Sequence, residues 1–277
     1  WKAAAETNAG GAGKALCEIT LEEPIRYSSN DPVEYWMNKL LCLDLAAGQT
    51  RLVNAMPAPR DCELYCVNRD ALFSYHSMSE TLLQRIWGLY TSAHYKNSPN
   101  DLQMLSDAPA HRLFVLLGPV KKNSEGSAPS IPDVLCVVQI AFEGKISQKS
   151  VQAEINKGSK ASGDLIPWTL SQQFGDNEFP GLSGARVVRI ATHPDVQKMG
   201  YGSRAIDLLA DYFSGKFGSV VGEVGEGNIG KDYKGKNELN TDGIDLVQEE
   251  VKPKETLPPL LITLKERPAE RLHWLGT

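Results

Sequence analysis

The sequence predicts an α+β fold, a mixed central sheet flanked by helices, and three observations carry that prediction. Two strongly apolar runs, His111–Leu117 and Val134–Phe142, are near neighbours in the chain and suit an antiparallel pair. A further run, Arg186–Thr192, leads through a short turn into the amphipathic stretch Gly202–Phe213 and later to apolar Leu260–Leu264; strand–helix–strand order favours a parallel crossover. Hydrophobic residues make up 42% of the 277 and charged residues 23%, enough to bury a substantial core.

The elements follow in order. Residues 1–15 are rich in Ala, Gly and Asn and read as a loop remnant. Gly13-Lys14 does not make a nucleotide phosphate loop: the first glycine of that motif falls on Asn8, and Ala15 stands where Ser or Thr should hold magnesium. Leu16–Leu21 alternates as a strand. Asp31-Pro32 opens a helix whose stripe of Val33, Trp36, Met37, Leu40 and Leu41 reads as core. Pro57 and Pro59 mark a boundary, dividing 1–60 from 61–277. Cys62–Val67 reads as a strand. Ser77 and Glu80 form a capping box before Leu82, Leu83, Ile86, Leu89 and Tyr90 at helical spacing. Asn97-Ser98-Pro99-Asn100 breaks that helix and starts a short one through Asp101–Leu105. Lys121–Pro132 is a polar connection. Glu143–Ala185 reads as a long functional loop holding one helix, Ser147–Asn156, and a basic turn, Lys157–Gly163. Residues 218–258 are acidic and glycine-rich, a surface insertion.

The net charge is −5, whereas a surface that grips nucleic acid everywhere is basic. Any RNA contact is therefore expected from local basic patches or from further parts of a parent protein. The chain opens at Trp1 with no basic-then-apolar leader, and no apolar run is long enough to span a bilayer, which predicts an excerpt of an intracellular protein. Cys17, Cys42, Cys62, Cys66 and Cys136 are an odd, scattered set that fits a reducing compartment. Cys62 and Cys66 lack a second pair at zinc-ligand spacing and read as one face of a strand, so no metal site is expected.

The chemistry-bearing segment is Ile190–Ser203, where Gln197, Gly200 and Gly202 stand in a Q-x-x-G-x-G pattern between a strand and a helix. A diphosphate needs several backbone N–H groups in one concavity, and a glycine-rich turn opening a helix supplies them with the positive end of the helix dipole. Lys198 or Arg204 can add charge. An ordinary tight turn remains open from the glycines alone, and the spacing is wrong for a dinucleotide fold.

Gln-x-x-Gly-x-Gly after such a strand resembles the signature of the GCN5-related N-acetyltransferases, and the element order resembles their fold. Three longer stretches, His94–Pro109, Ala161–Trp168 and Glu266–Arg271, are similar to the helicase-linked RNA cytidine acetyltransferases, above all their eukaryotic nucleolar branch. That resemblance spans nearly all of 16–277. It implies an acetyl-CoA site formed by Ile190, Ala191, Thr192, Gln197, Lys198, Met199, Gly200, Tyr201, Gly202 and Ser203. It implies that 16–60 is the tail of an ATP-binding helicase module, with Arg26 matching an ATP-contacting arginine, and that ATP with magnesium is used by the parent protein. The last helix and strands of the fold are expected beyond Thr277. The product implied is N4-acetylcytidine in small-subunit rRNA and some tRNAs, coupled to ATP hydrolysis and to small-subunit biogenesis in the nucleolus. Expected partners are rRNA, tRNA, pre-ribosomal assembly factors and a tRNA adaptor protein, with no membrane, and a homodimer is left open.

In this superfamily the amine attacks the thioester directly, with the backbone around Ile190–Thr192 polarising the carbonyl. His94 is the candidate base that takes the N4 proton; from the residues alone it reads equally as a helix C-terminal histidine. His193 reads as a turn residue. Tyr201 is a candidate proton donor to the leaving thiolate or a packing residue. Lys157, Lys160 and Trp168 are candidates to hold a phosphate and stack on an extruded base, or else a solvated turn beside a core Trp. A protein or small-amine N-acetyltransferase and a noncatalytic assembly scaffold are the alternative functions.

Overall fold

The structure, a computed structural model, describes residues 25–40, 52, 56–93, 98–119, 132–157, 163–217, 258–268 and 270–277. The chain divides by its internal contacts into Trp1–Leu43 and Asp44–Thr277. In the smaller unit, α1 (Pro32–Leu40) has Pro at its first turn, and Asp31 Oδ1 accepts the Val33 N–H at 2.7 Å. Of the stripe expected as core, Val33 and Trp36 are 54% and 60% exposed and Met37 is half-buried, while the burial of Leu40 and Leu41 lies outside what is described. The expected strand Leu16–Leu21 lies outside the described residues.

In the larger unit a single 3-10 turn (Pro59–Asp61) leads into β1 (Glu63–Val67), the short α2 (Arg69–Leu72), α3 (Ser77–Ala93), α4 (Pro99–Asp107), β2 (His111–Leu117) and β3 (Val134–Gly144). After them come α5 (Gln148–Lys157), α6 (Leu165–Phe174), β4 (Ser183–Thr192), α7 (Tyr201–Phe213), β5 (Leu261–Thr263) and β6 (Trp274–Gly276). Among the described residues the sheet has six strands in the order β5-β1-β2-β3-β4-β6. Every neighbouring pair is antiparallel except β4 with β6. It is a mixed sheet with helices on both faces, the α+β architecture that the strand pattern predicts.

Side chains alternate across a strand, so the apolar runs β2 and β3 feed both faces. Phe114, Leu116, Val138 and Ile140 meet Ala205, Leu208, Leu209, Tyr212 and Phe213 of α7, whose spacing of three and four makes a single stripe. Each large side chain so buried contributes roughly 1.5–3 kcal/mol. The opposite face takes Leu82, Ile86, Leu89 and Tyr90 of α3, all buried, where the helix packs on β3 and β4.

Three elements differ from expectation. First, α6 occupies a stretch read as loop. Its start carries no local cap, since Asp164 is left-handed (φ 44°) and its carboxylate accepts the Gly144 N–H at 2.7 Å. Instead Glu143, distant in sequence, accepts the Ile166 N–H at 3.0 Å, and Trp168 is buried. Second, the apolar run at 260–264 does not cross over beside β4. As β5 it pairs antiparallel with β1 at the far edge, and the parallel partner of β4 is β6, too short to stand out as a strand in the sequence. Third, α3 begins at Ser77 itself, with the Glu80 N–H bonded to the His76 carbonyl, so Ser77 lies inside the helix rather than before it.

The β4–β6 pairing rests on close approach. The Trp274 indole lies over Gly184 where a Cβ would stand, and stacks on Phe179 at 5.8 Å between centroids. Gly184→Val is expected to destabilise the larger unit by about 1–3 kcal/mol through overpacking, read as a lower denaturant midpoint. An unchanged midpoint would show that the indole moves aside without cost.

Candidate active site

Strand β4 is held unequally on its two sides. Along β3 it is paired from Ser183 opposite Gly144 to Thr192 opposite Cys136. The register slips between Gln139 and Ile140, where Ile140 faces Val187 but Gln139 faces Arg189, leaving Val188 as a β-bulge. On the other side β6 covers only Gly184, Ala185 and Arg186. From Val187 to Thr192 no strand among the described residues takes the second edge. Ile190, Ala191 and Thr192 lie on this stretch, whose backbone can accept an extended, amide-bearing arm as an added strand.

The strand ends in a turn that opens α7. His193 is buried; its N–H donates to the Leu135 carbonyl at 2.9 Å and its Nδ1 accepts the Asp195 N–H at 3.3 Å, so it serves the turn. Gln197, Lys198, Met199 and Gly200 are exposed. Lys198 (φ 63°) and Gly200 (φ 91°) are left-handed, which swings the chain into α7. No side chain caps that helix, and its first backbone bond runs from the Arg204 N–H to the Gly200 carbonyl at 2.9 Å. Helix geometry thus leaves the N–H groups of Tyr201, Gly202 and Ser203 without intrahelical acceptors, at the positive end of the dipole.

The two glycines serve different ends. A Cβ on Gly200 would meet only Pro59 Cγ at 3.9 Å, so that glycine answers a backbone need on an open face. A Cβ on Gly202 would lie 3.2 Å from Thr192 Oγ1 and 3.9 Å from Ile190 Cδ1; its absence draws the helix end against β4. The turn is buttressed from behind. The Tyr201 hydroxyl, buried, donates to the Pro57 carbonyl at 2.6 Å, and Arg204 donates to the Arg60 carbonyl at 3.3 Å. Burial, then the nearby Cys62, raises the Tyr201 pKa. The phenol is therefore fixed inward, its proton on a carbonyl.

Other expected site residues are not brought together. His94 and Lys160 lie outside the described residues, and Arg26 is exposed in the smaller unit. Trp168 is 5% exposed within α6, so it is a core residue and not a stacking platform.

The α3 face of the sheet carries a polar row that sequence reasoning missed. Arg189 Nη2 lies 2.7 Å from Asp101 Oδ1, and its guanidinium carbon 5.6 Å from the Tyr90 ring centre. Buried Glu143 accepts Arg186 Nε at 2.6 Å. Gln139 Nε2 lies 2.9 Å from His111 Nδ1, and burial, then Arg186 and Arg69, lowers the His111 pKa. The available signal was the charge itself: Arg186, Arg189, Gln139 and Glu143 interrupt runs that would otherwise be apolar.

A bulged strand with one open edge, running into a glycine turn that opens a helix, defines an acyl-CoA-dependent N-acetyltransferase of the GCN5-related class. Comparison agrees: residues 85–277 match the family model "GNAT acetyltransferase 2", and residues 4–44 match "RNA cytidine acetyltransferase NAT10/TcmA, helicase domain". A protein of Achlya ambisexualis named RNA cytidine acetyltransferase is 59% identical over 97% of this chain and 71% of its own length. Proteins of the same name from Saccharomyces cerevisiae (52% over 95% of this chain) and Homo sapiens (51% over 96%) are each matched over 25% of their length. The chain belongs to the RNA cytidine acetyltransferase family, and it spans about a quarter of the length of the yeast and human relatives.

The residues present fit acetyl-CoA, the donor of this class. The open edge suits the pantetheine amides, and the uncapped helix start with the bare Gly200 face suits the diphosphate. Buried Cys136 is no nucleophile: burial chiefly pushes its thiol up to about 11, and the Thr192 hydroxyl donates to its sulfur at 3.6 Å. At pH 8, three units below, only about one thiol in a thousand is ionised, so Cys136 is expected to resist Ellman's reagent until the chain unfolds. Rapid labelling of Cys136 in the folded protein would contradict this placement. Tyr201→Phe should cost about 0.5–1.5 kcal/mol in stability while leaving CoA affinity within about twofold by calorimetry; a large loss of affinity would give the phenol a direct role.

Proposed function

We propose that this chain carries the acetyl-transfer centre of an enzyme that acetylates N4 of cytidine in RNA, with acetyl-CoA as donor. The carrying observation is the open, bulged edge of β4 leading into the uncapped start of α7. Acetyl-CoA supplies the acetyl group as an activated thioester. The edge N–H groups of Val187–Thr192 orient the donor and stabilise charge on the carbonyl oxygen, an effect worth about 3 kcal/mol at a developing oxyanion. The first turn of α7 holds the diphosphate with Gln197, Lys198, Met199, Gly200, Gly202 and Ser203 around it.

Cytidine N4 is neutral but conjugated with its ring, hence a poor nucleophile. A base need not free it; it must take the proton as the C–N bond forms and the C–S bond breaks. His94, the residue after Ala93 in the sequence, is proposed for that role. The names of the relatives support RNA as acceptor, and the helicase-domain match over 4–44 supports a coupled ATPase with Arg26 as its contact. We assign rRNA and tRNA as substrates, a role in small-subunit assembly and a nucleolar location on the same family grounds.

The test uses full-length protein, wild type and Gly200→Glu, with ATP, acetyl-CoA and small-subunit rRNA, followed by nuclease digestion and mass spectrometry. Gly200→Glu forces a left-handed non-glycine residue and sets a carboxylate where the diphosphate binds. It is expected to lower N4-acetylcytidine formation at least about a hundredfold. Undiminished product would displace the proposed donor site; no product from wild type with CoA bound would point to another acceptor.

A further inference from the structure

The opening beside β4 has a closed end. β6 pairs with β4 at Gly184–Trp274, Ala185–Leu275 and Arg186–Gly276, and beyond that pair no described strand takes the edge. Both faces of the sheet are walled at this closed end. On the α7 face, Val187 and Leu275 pack against the core. On the other face stands Ile166, at the start of α6. A Cβ on Gly276 would lie 2.8 Å from Ile166 Cδ1, closer than two carbons tolerate. The isoleucine thus fills the space that a side chain at 276 would take.

Ile166 is held there from β3 and not by a local cap. Its N–H donates to the Glu143 carboxylate at 3.0 Å, and the same carboxylate accepts from Arg186 Nε at 2.6 Å. Arg186 is the residue paired with Gly276. One buried carboxylate therefore fixes Ile166 to the last rung between β4 and β6. A buried charge is a costly way to begin a helix. What it supplies, and a Ser or Asp cap would not, is a set distance between α6 and β4.

Length along the strand decides what meets this wall. Gly202 brings the start of α7 against Thr192. In coenzyme A about twelve bonds separate the diphosphate from the sulfur, and three backbone bonds make a residue, so the arm spans about four residues of extended chain. Counted back from Thr192, that length ends at Val188, the bulge. An acyl group beyond the sulfur passes only Val187 before the edge closes at Arg186 and Gly276.

We propose that Ile166, seated on Gly276, is the end wall of the acyl pocket and restricts the donor to a two-carbon acyl group. This rests on β4 being the donor strand. An acetyl group stops short of the wall, whereas each further methylene has to displace a side chain that Glu143 and Gly276 hold in place. A methylene that does not fit an apolar pocket costs about 10–200-fold.

The experiment measures affinities for CoA, acetyl-CoA, propionyl-CoA and butyryl-CoA by calorimetry without RNA. It uses full-length wild type, Ile166→Ala, Ile166→Val and Gly200→Glu. Wild type is expected to bind butyryl-CoA at least about tenfold more weakly than acetyl-CoA. Ile166→Ala, which takes the wall back to Cβ, should narrow that ratio to within about threefold. Should this variant fail to fold, Ile166→Val serves: it removes Cδ1 itself and should improve propionyl-CoA relative to acetyl-CoA by about threefold. Wild type that binds butyryl-CoA as tightly as acetyl-CoA overturns the proposal, as does an acyl preference unchanged in both Ile166 variants. Free CoA that does not bind wild type, or that binds Gly200→Glu equally well, removes the donor strand and the proposal with it. The free-CoA arm thus tells failure of the donor site apart from failure of the wall. No turnover is read, so the outcome does not depend on RNA being the acceptor.

Discussion

A strand that must be rigid and yet keep one edge unpaired is the constraint on which this molecule is built. Unpaired edges normally invite another strand, and a short free strand is soft. Here β4 takes its rigidity from three other directions. It is zipped to β3 along its whole length, and α3 and α7 cover its two faces. The fourth side is released by making β6 only three residues long and anchoring it at the far end, where Trp274 sits over Gly184 and stacks on Phe179. Pairing therefore stops at Arg186, one residue before the bulge region. The bulge then does what a regular strand cannot, giving the edge a local bend and turning two arginines to the same face.

The turn that opens α7 depends on that strand and on a second support. Gly202 brings α7 against Thr192 and Ile190, so the helix start inherits its position from β4. On the other side the segment Pro57–Arg60 braces Tyr201 and Arg204 with carbonyl oxygens, and Pro57 also closes over Gly118. A stretch whose prolines mark it in the sequence as a boundary is thus a working part of the larger unit. Proline is well suited to such a brace, because its fixed φ holds carbonyls in place without a donor that would compete for the turn.

Most of the sheet was legible in sequence because its inner strands are apolar runs bounded by polar turns, and α3 and α7 because their stripes keep helical spacing. The glycine turn was legible for the same reason: everything it needs lies within about a dozen consecutive residues. What escaped was nonlocal. The start of α6 is stabilised by Glu143 rather than by its own cap, so the usual signals were missing. β6 has three residues and no alternation to detect; its evidence is an indole over a glycine in another strand. Arg189 reads as a charge breaking an apolar run until the bulge and Asp101 are both known. Tyr201, read as a proton donor or a packing residue, donates its hydroxyl to a carbonyl from a distant segment.

The charge balance fits a division of labour. Three arginines on the sheet are matched by carboxylates: Arg112 with Glu270, Arg186 with Glu143, Arg189 with Asp101. Cations neutralised in this way position side chains but contribute little to counterion release, which is what gives RNA affinity its strength and its salt dependence. A net charge of −5 points the same way. Acetyl transfer itself asks for little long-range electrostatics. It needs one nucleobase presented to a rigid edge, a backbone that stabilises an oxyanion, and a base within reach. On the proposed function, the rigid edge of β4 and the uncapped start of α7 would hold the donor. The affinity that holds the rest of an RNA then comes from cations other than the arginines that build the sheet.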